Sequence, residues 1–208
     1  MLRNGQIILL SSVLFCGMLH ATGSVSTQKT SVTDYENCGI NAKARLLAKL
    51  IINAPDQKRK NIDCHSGLSQ IAQQKAEEMA AMGEVSHYGS GGTPDERLIN
   101  SGYKLSLPQG ATGLNHVEAI LGGYSEADIV LAKFSNSYHH RVHLFAEHPF
   151  FLTQDDIGVG YAREWSSPHV DYWVVYIAKD KDLAINKSMF TNRELEGKEI
   201  LVIGKPMK

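Results

Sequence analysis

The stretch VDYWVVYIA, Val170 to Ala178, decides the architecture. β-Branched and aromatic side chains fill it and both alternate faces are apolar, the pattern of a strand covered on each side rather than one with a wet face. A central strand is expected here, with Trp173 as a core anchor rather than a stacking platform. Just upstream, Asp156 to Ala162 sets Ile157, Val159 and Tyr161 on one face and Gly158 and Gly160 on the other, so it reads as a second strand, with Glu164 to Pro168 turning between the two. A last strand-like run is Ile200 to Ile203.

Further back the apolar period becomes helical. Ala44, Leu47, Ala48 and Ile51 recur on one face between Asn41 and Asn53, and Pro55 stops that helix. Leu68, Ile71, Ala72, Ala76, Met79 and Ala80 make a second stripe with Gly83 placed to end it, and both Met79 and Met82 read as core. Thr93-Pro94-Asp95-Glu96 spells a capping box with proline at the first helical position, which assigns Asp95 and Glu96 to starting a short helix that runs to about Asn100 and closes through Gly102. Ser125 to Asp128 spells another, opening a helix through Val130, Leu131 and Phe134. Residues 104–114 read as an irregular connection, and Gly122 and Gly123 as a point of tight backbone packing. Helices first and antiparallel strands later indicate an α+β fold in layers.

The 208 residues carry 21 basic and 22 acidic side chains, a formal charge of -1. A chain so balanced has no field to hold a phosphate backbone or an anionic membrane surface, so nucleic acid is excluded as a partner. Residues 1–23 have Arg3, an apolar run from Ile7 to Leu19 and small residues at Ala21 and Gly23, the three parts of a secretory signal peptide, and the run is too short for a membrane span. The polar, aperiodic stretch that follows makes 24–39 a flexible leader. Export removes Cys16 and leaves Cys38 and Cys64, for which a disulfide is expected in an oxidising compartment; two buried thiols are the alternative.

Function concentrates in FSNSYHHRVHL, Phe134 to Leu144, where His139, His140, Arg141 and His143 fall within five residues. Imidazole titrates near neutrality and is the side chain most often offered to transition metals. Two upstream groups stand as candidates to face it, His87 in EVSHYGSGG and Glu118 in NHVEAILGG. The GSGG turn lacks the length and the Lys-Ser/Thr of a phosphate loop. His116 and His143 stand as helper candidates, but these two, like His65, His148 and His169, read first as surface histidines.

The succession of VSH, a glycine turn, PDERL, SGY, VEAI, NSYHHR, DIGVGYA and YWVVYIA resembles the CAP superfamily, the cysteine-rich secretory, antigen 5 and pathogenesis-related 1 proteins, in its compact bacterial form. The resemblance covers about residues 40–179, leaving 180–208 as a C-terminal extension. It implies a secreted, three-layer α-β-α sandwich with a central, mainly antiparallel sheet. In that family a histidine after the second helix, a glutamate opening a Glu-Asn-Ile-Ala-like motif and a histidine in a Ser-Pro-Gly-His-Arg-like motif line one cleft. The matching residues are His87, Glu118 and His140, flanked by Ser137 and Arg141. Ala119 stands where the family has asparagine, Phe134 where tryptophan is common, Tyr138 and His139 where proline and glycine are, and the second glutamate of animal members has no counterpart.

Two imidazoles and a carboxylate are the ligand set of an open zinc site. The same trio also makes a hydrogen-bonded network in which the carboxylate fixes an imidazole tautomer. The expected function is thus a secreted, monomeric binding module offering its cleft to a lipid, protein or cell-envelope ligand, with Zn2+ at His87, Glu118 and His140 as an optional cofactor. The alternative is a metal-dependent extracellular hydrolase with Glu118 as ligand or base. Ser137 lacks the surroundings of a nucleophile elbow.

Overall fold

Every position of the strand Asp171–Ala178 is buried in the computed structural model, which describes residues 32–107, 111 and 115–181. Alternation divides the strand between two cores. Tyr172, Val174, Tyr176 and Ala178 join one apolar cluster, whereas Trp173, Val175 and Ile177 join another on the opposite face. This strand, β4, pairs antiparallel with β3 (Asp156–Arg163) on one side and with β2 (Glu118–Gly122) on the other. A short β1 (Asp63–Cys64) runs parallel to β3, giving a four-stranded mixed sheet in the order β1-β3-β4-β2.

Helices cover both faces. α1 (Ala42–Ile52) begins where the Asn41 side chain accepts the Ala44 N–H at 3.0 Å. α2 (Ser66–Met82) ends at Gly83 in a left-handed conformation, φ 74°, as its position after the apolar stripe predicts. α3 (Pro94–Asn100) carries the full capping box. α4 (Ala127–Asn136) and α5 (Tyr138–Leu144) are separated at Ser137, whose backbone is extended. The apolar stripe of α2, with Leu98 of α3, covers one face of the sheet, while α1, α4 and Leu144 of α5 cover the other. The α+β class and the α-β-α layering are as expected.

Two glycines set how closely α2 lies on the sheet. A Cβ at Gly158 would collide with the backbone of Leu68 and Ser69, and one at Gly160 with the backbone of Ala72. The small face of β3 is therefore the surface on which the helix backbone itself rests.

Cys38 and Cys64 form a disulfide across 26 residues, tying the segment before α1 to the start of α2. Trp173 is fully buried and donates its indole N–H to the Tyr124 carbonyl at 2.7 Å, the anchoring role expected of it.

Several details differ from the sequence reading. The described end of the leader, Val32–Cys38, is a 3-10 helix whose Tyr35 hydroxyl accepts from Asn53. Met82 is 56% exposed, because the last turn of α2 extends past the apolar stripe. No capping box forms at Ser125: its hydroxyl donates to the Glu126 carboxylate, and α4 starts after Glu126 without a side-chain cap. Tight packing at Gly122 is present, but against Val85 and His169. β2 was not distinguished as a strand by its composition, and the central run starts one residue late because Val170 is left-handed, φ 62°.

Among the described residues no helix is long and apolar enough to cross a membrane. The expected signal peptide, the expected leader up to residue 31, most of the 104–114 connection's second half and the extension from residue 182, with the strand expected at Ile200 to Ile203, lie outside the described residues.

Candidate functional site

His87 leaves α2 on a loop that the helix holds at two charged residues. Lys75, 2% exposed, donates its ammonium to Glu78 at 3.0 Å and to the Tyr88 carbonyl at 2.7 Å. Glu78 in turn accepts the Ser90 N–H at 2.5 Å. Burial alone would raise the Glu78 carboxyl, but Ser90 and Lys75 together pull it down to about 2. The loop is thereby latched to the helix at both of its sides.

Arg97, on α3, ties this loop to the sheet. Its guanidinium donates to the carbonyls of His87 (3.0 Å), Gly92 (3.2 Å) and Ser90 (3.2 Å), and also to the Tyr176 hydroxyl (2.6 Å) and to Glu118 Oε2 (2.8 Å). Glu118 and Tyr176 are register partners on β2 and β4, so the Tyr176 hydroxyl reaches the same carboxylate oxygen, donating at 2.5 Å. Burial, then the Glu118 charge, push the Tyr176 hydroxyl upward, which keeps it a neutral donor. The second oxygen, Glu118 Oε1, lies 2.8 Å from His87 Nδ1. A carboxylate only accepts, so His87 carries its proton on Nδ1. Asn115 fixes the strand entry, its Oδ1 accepting the Glu118 N–H and its Nδ2 donating to the Glu118 carbonyl.

A second carboxylate–imidazole pair stands nearby. Asp95, 6% exposed, accepts both the backbone N–H of His116 (2.9 Å) and its Nδ1–H (2.5 Å). Asp95 thus does more than start α3.

The facing wall is α5. His140 packs edge-on against Phe134 with ring centroids 4.8 Å apart, and burial, then His87 and His139, lower its pKa. His143, on the inner side, is buried, and its Nε2–H donates to the Ile177 carbonyl at 3.3 Å. Burial and Arg59 lower its pKa to about 3, so it is a neutral core histidine, not the surface histidine the sequence suggests.

His87, Glu118 and His140 line one cleft of about 330 Å3, together with His116, Tyr138 and Phe151. Ser137 and Arg141 do not line it. Arg141 pairs with Glu147 through Nε at 2.8 and 2.9 Å, and Ser137 serves as the break between two helices. Nor do the residues fit a metal ion as arranged: among the described residues no three His, Cys, Asp or Glu side chains are placed to hold one. The Glu118 side chain is fully buried and accepts from three donors, one of them a guanidinium whose charge opposes a dication on the same oxygen.

Arg97, Tyr176, Lys75 and the Asp95–His116 pair are the groups that sequence reasoning missed. The available signal was an aspartate inside a capping box and an arginine just after it, a tyrosine inside a core strand, and a lysine on the apolar stripe of its helix, between Ile71 and Met79. Comparison with protein-family models, curated proteins and solved structures gives no match.

Proposed function

We propose that the chain is a secreted binding module of the CAP type, and that its ligand sits between the Glu118 wall and α5. The observation that carries this is the meeting of His87, Glu118 and His140, drawn from segments up to 53 residues apart, along one open cleft. Secretion is supported by the Cys38–Cys64 disulfide, a bond that persists in oxidising compartments. The cleft is at the small end of ligand pockets and mixes polar with aromatic walls, so it takes a headgroup-sized or terminal part of a lipid, protein or envelope component.

Binding is favoured over hydrolysis by the state of Glu118. A general base or metal ligand needs a lone pair free to meet substrate or ion, whereas this carboxylate is withdrawn from solvent and engaged on both oxygens. Its role is to hold the His87 tautomer.

The test is retention. The protein is incubated with a total envelope extract, repurified, and its bound molecules identified by mass spectrometry with and without chelator. Retention that survives chelation and is lost in His140→Ala supports the proposal. An empty wild-type protein, indistinguishable from His87→Ala, would reduce the cleft to a structural feature.

A further inference from the structure

We infer that the cleft recognises a neutral saccharide, through two carboxylate-pinned imidazoles on one wall and the Tyr138 ring on the other. This rests on the binding reading above and names the ligand class. The hydrogen-bond inventory of the cleft is the starting point. His87 and His116 each give Nδ1–H to a buried carboxylate, Glu118 and Asp95 respectively, which in the neutral imidazole leaves each Nε2 as an acceptor. Neither Nε2 has a partner among the described residues, and the two imidazoles are 38% and 20% exposed. The His140 imidazole makes no hydrogen bond with any described residue. The apolar part of the cleft comes from Tyr138, 65% exposed, with Phe151, Val117 and Val142.

Each alternative ligand chemistry meets an obstacle. An anion would find no lysine or arginine among the described lining residues, because Arg97 is spent on Glu118, Tyr176 and three carbonyls, and Arg141 on Glu147. A hydrocarbon chain would strand the free imidazole acceptors, at roughly 1–3 kcal/mol for each one desolvated without a partner. An extended peptide can meet those acceptors with its N–H groups, but each N–H comes with a carbonyl for which the free imidazole acceptors offer no donor, and its backbone has no C–H face to lay on the Tyr138 ring. A sugar ring satisfies both sides at once: its hydroxyls donate to Nε2 atoms and accept elsewhere, while its C–H face covers an aromatic ring. The chemistry is the same for a free oligosaccharide and for the end of an envelope glycan.

Chitotetraose and cellotetraose are titrated into the full exported chain and followed by saturation-transfer NMR and calorimetry, beside phosphatidylglycerol vesicles and tetra-alanine. Tyr138 is exposed and its hydroxyl makes no hydrogen bond with any described residue, so Tyr138→Ala should fold normally and bind either sugar about tenfold more weakly, while Tyr138→Phe keeps wild-type affinity. His87→Asn should weaken binding as well. Polymeric glycan binding without tetrasaccharide binding would still support the class if Tyr138→Ala weakens it. Saccharide binding indifferent to Tyr138→Ala would overturn the site. If only vesicles or peptide bind, with loss in His140→Ala, the saccharide inference falls and the binding module stands; if no probe binds and the envelope extract also leaves the protein empty, both fall.

Discussion

The two walls of the cleft are built on opposite terms. On the sheet side, the Glu118 and Asp95 carboxylates and the Nδ1 atoms of His87 and His116 are engaged in hydrogen bonds to protein, and Arg97 alone joins a loop, a helix and two strands. On the α5 side, the His139 and His140 imidazoles are held by ring packing, against Tyr138 and Phe134, with no hydrogen bond to any described residue. Ordering a polar group twice, by burial and by partners, makes a rigid wall; ordering it by packing alone leaves its hydrogen-bonding capacity for whatever enters. The contrast separates the groups that build the cleft from those that meet its contents.

The contrast breaks most visibly at Glu118. Glu118→Ala leaves Arg97 buried without its counter-charge, and chemical denaturation should show a loss of about 3–5 kcal/mol. Behind the opposite wall, His143 gives a pH signature. Its folded pKa of about 3 lies below the unfolded value near 6.5, so the unfolded chain binds the extra proton and stability falls as pH drops from about 6.5 towards 3. The fall should be on the order of 4 kcal/mol, and His143→Gln, which keeps a donor for the Ile177 carbonyl, should flatten that part of the melting-temperature profile. The smallest effect belongs to His140→Ala, expected within about 1 kcal/mol of wild type in the same denaturation experiment. A cost at His140 equal to that at Glu118 would mean the two walls are alike.

Much of the frame was legible in the sequence because it rests on periodicity. Val170 to Ala178 declares a doubly covered strand by its composition, and Gly158 and Gly160 mark the face on which a helix can lie. The positions of His87, Glu118 and His140 along one cleft were expected from the family resemblance, not from any local pattern. What escaped was the partner of each group. Arg97 sits in a capping-box helix, and nothing in PDERL says that its side chain turns inward to a strand residue 21 positions later. Tyr176 reads as core because it is core; only the register of β2 on β4 brings its hydroxyl to Glu118. Local motifs also compete with their neighbours, as at Ser125, where Glu126 captures the hydroxyl that the helix start would use.

The bare face of β3 has a reach beyond the layer it belongs to. Since α2 seats backbone-to-backbone on Gly158 and Gly160, and the His87 loop hangs from Lys75 and Glu78 of that same helix, those glycines act as the gauge block against which the mouth of the cleft is measured. A single added methyl there would tilt the helix like a shim under a beam, and an imidazole some 70 positions earlier in the chain would register the shift.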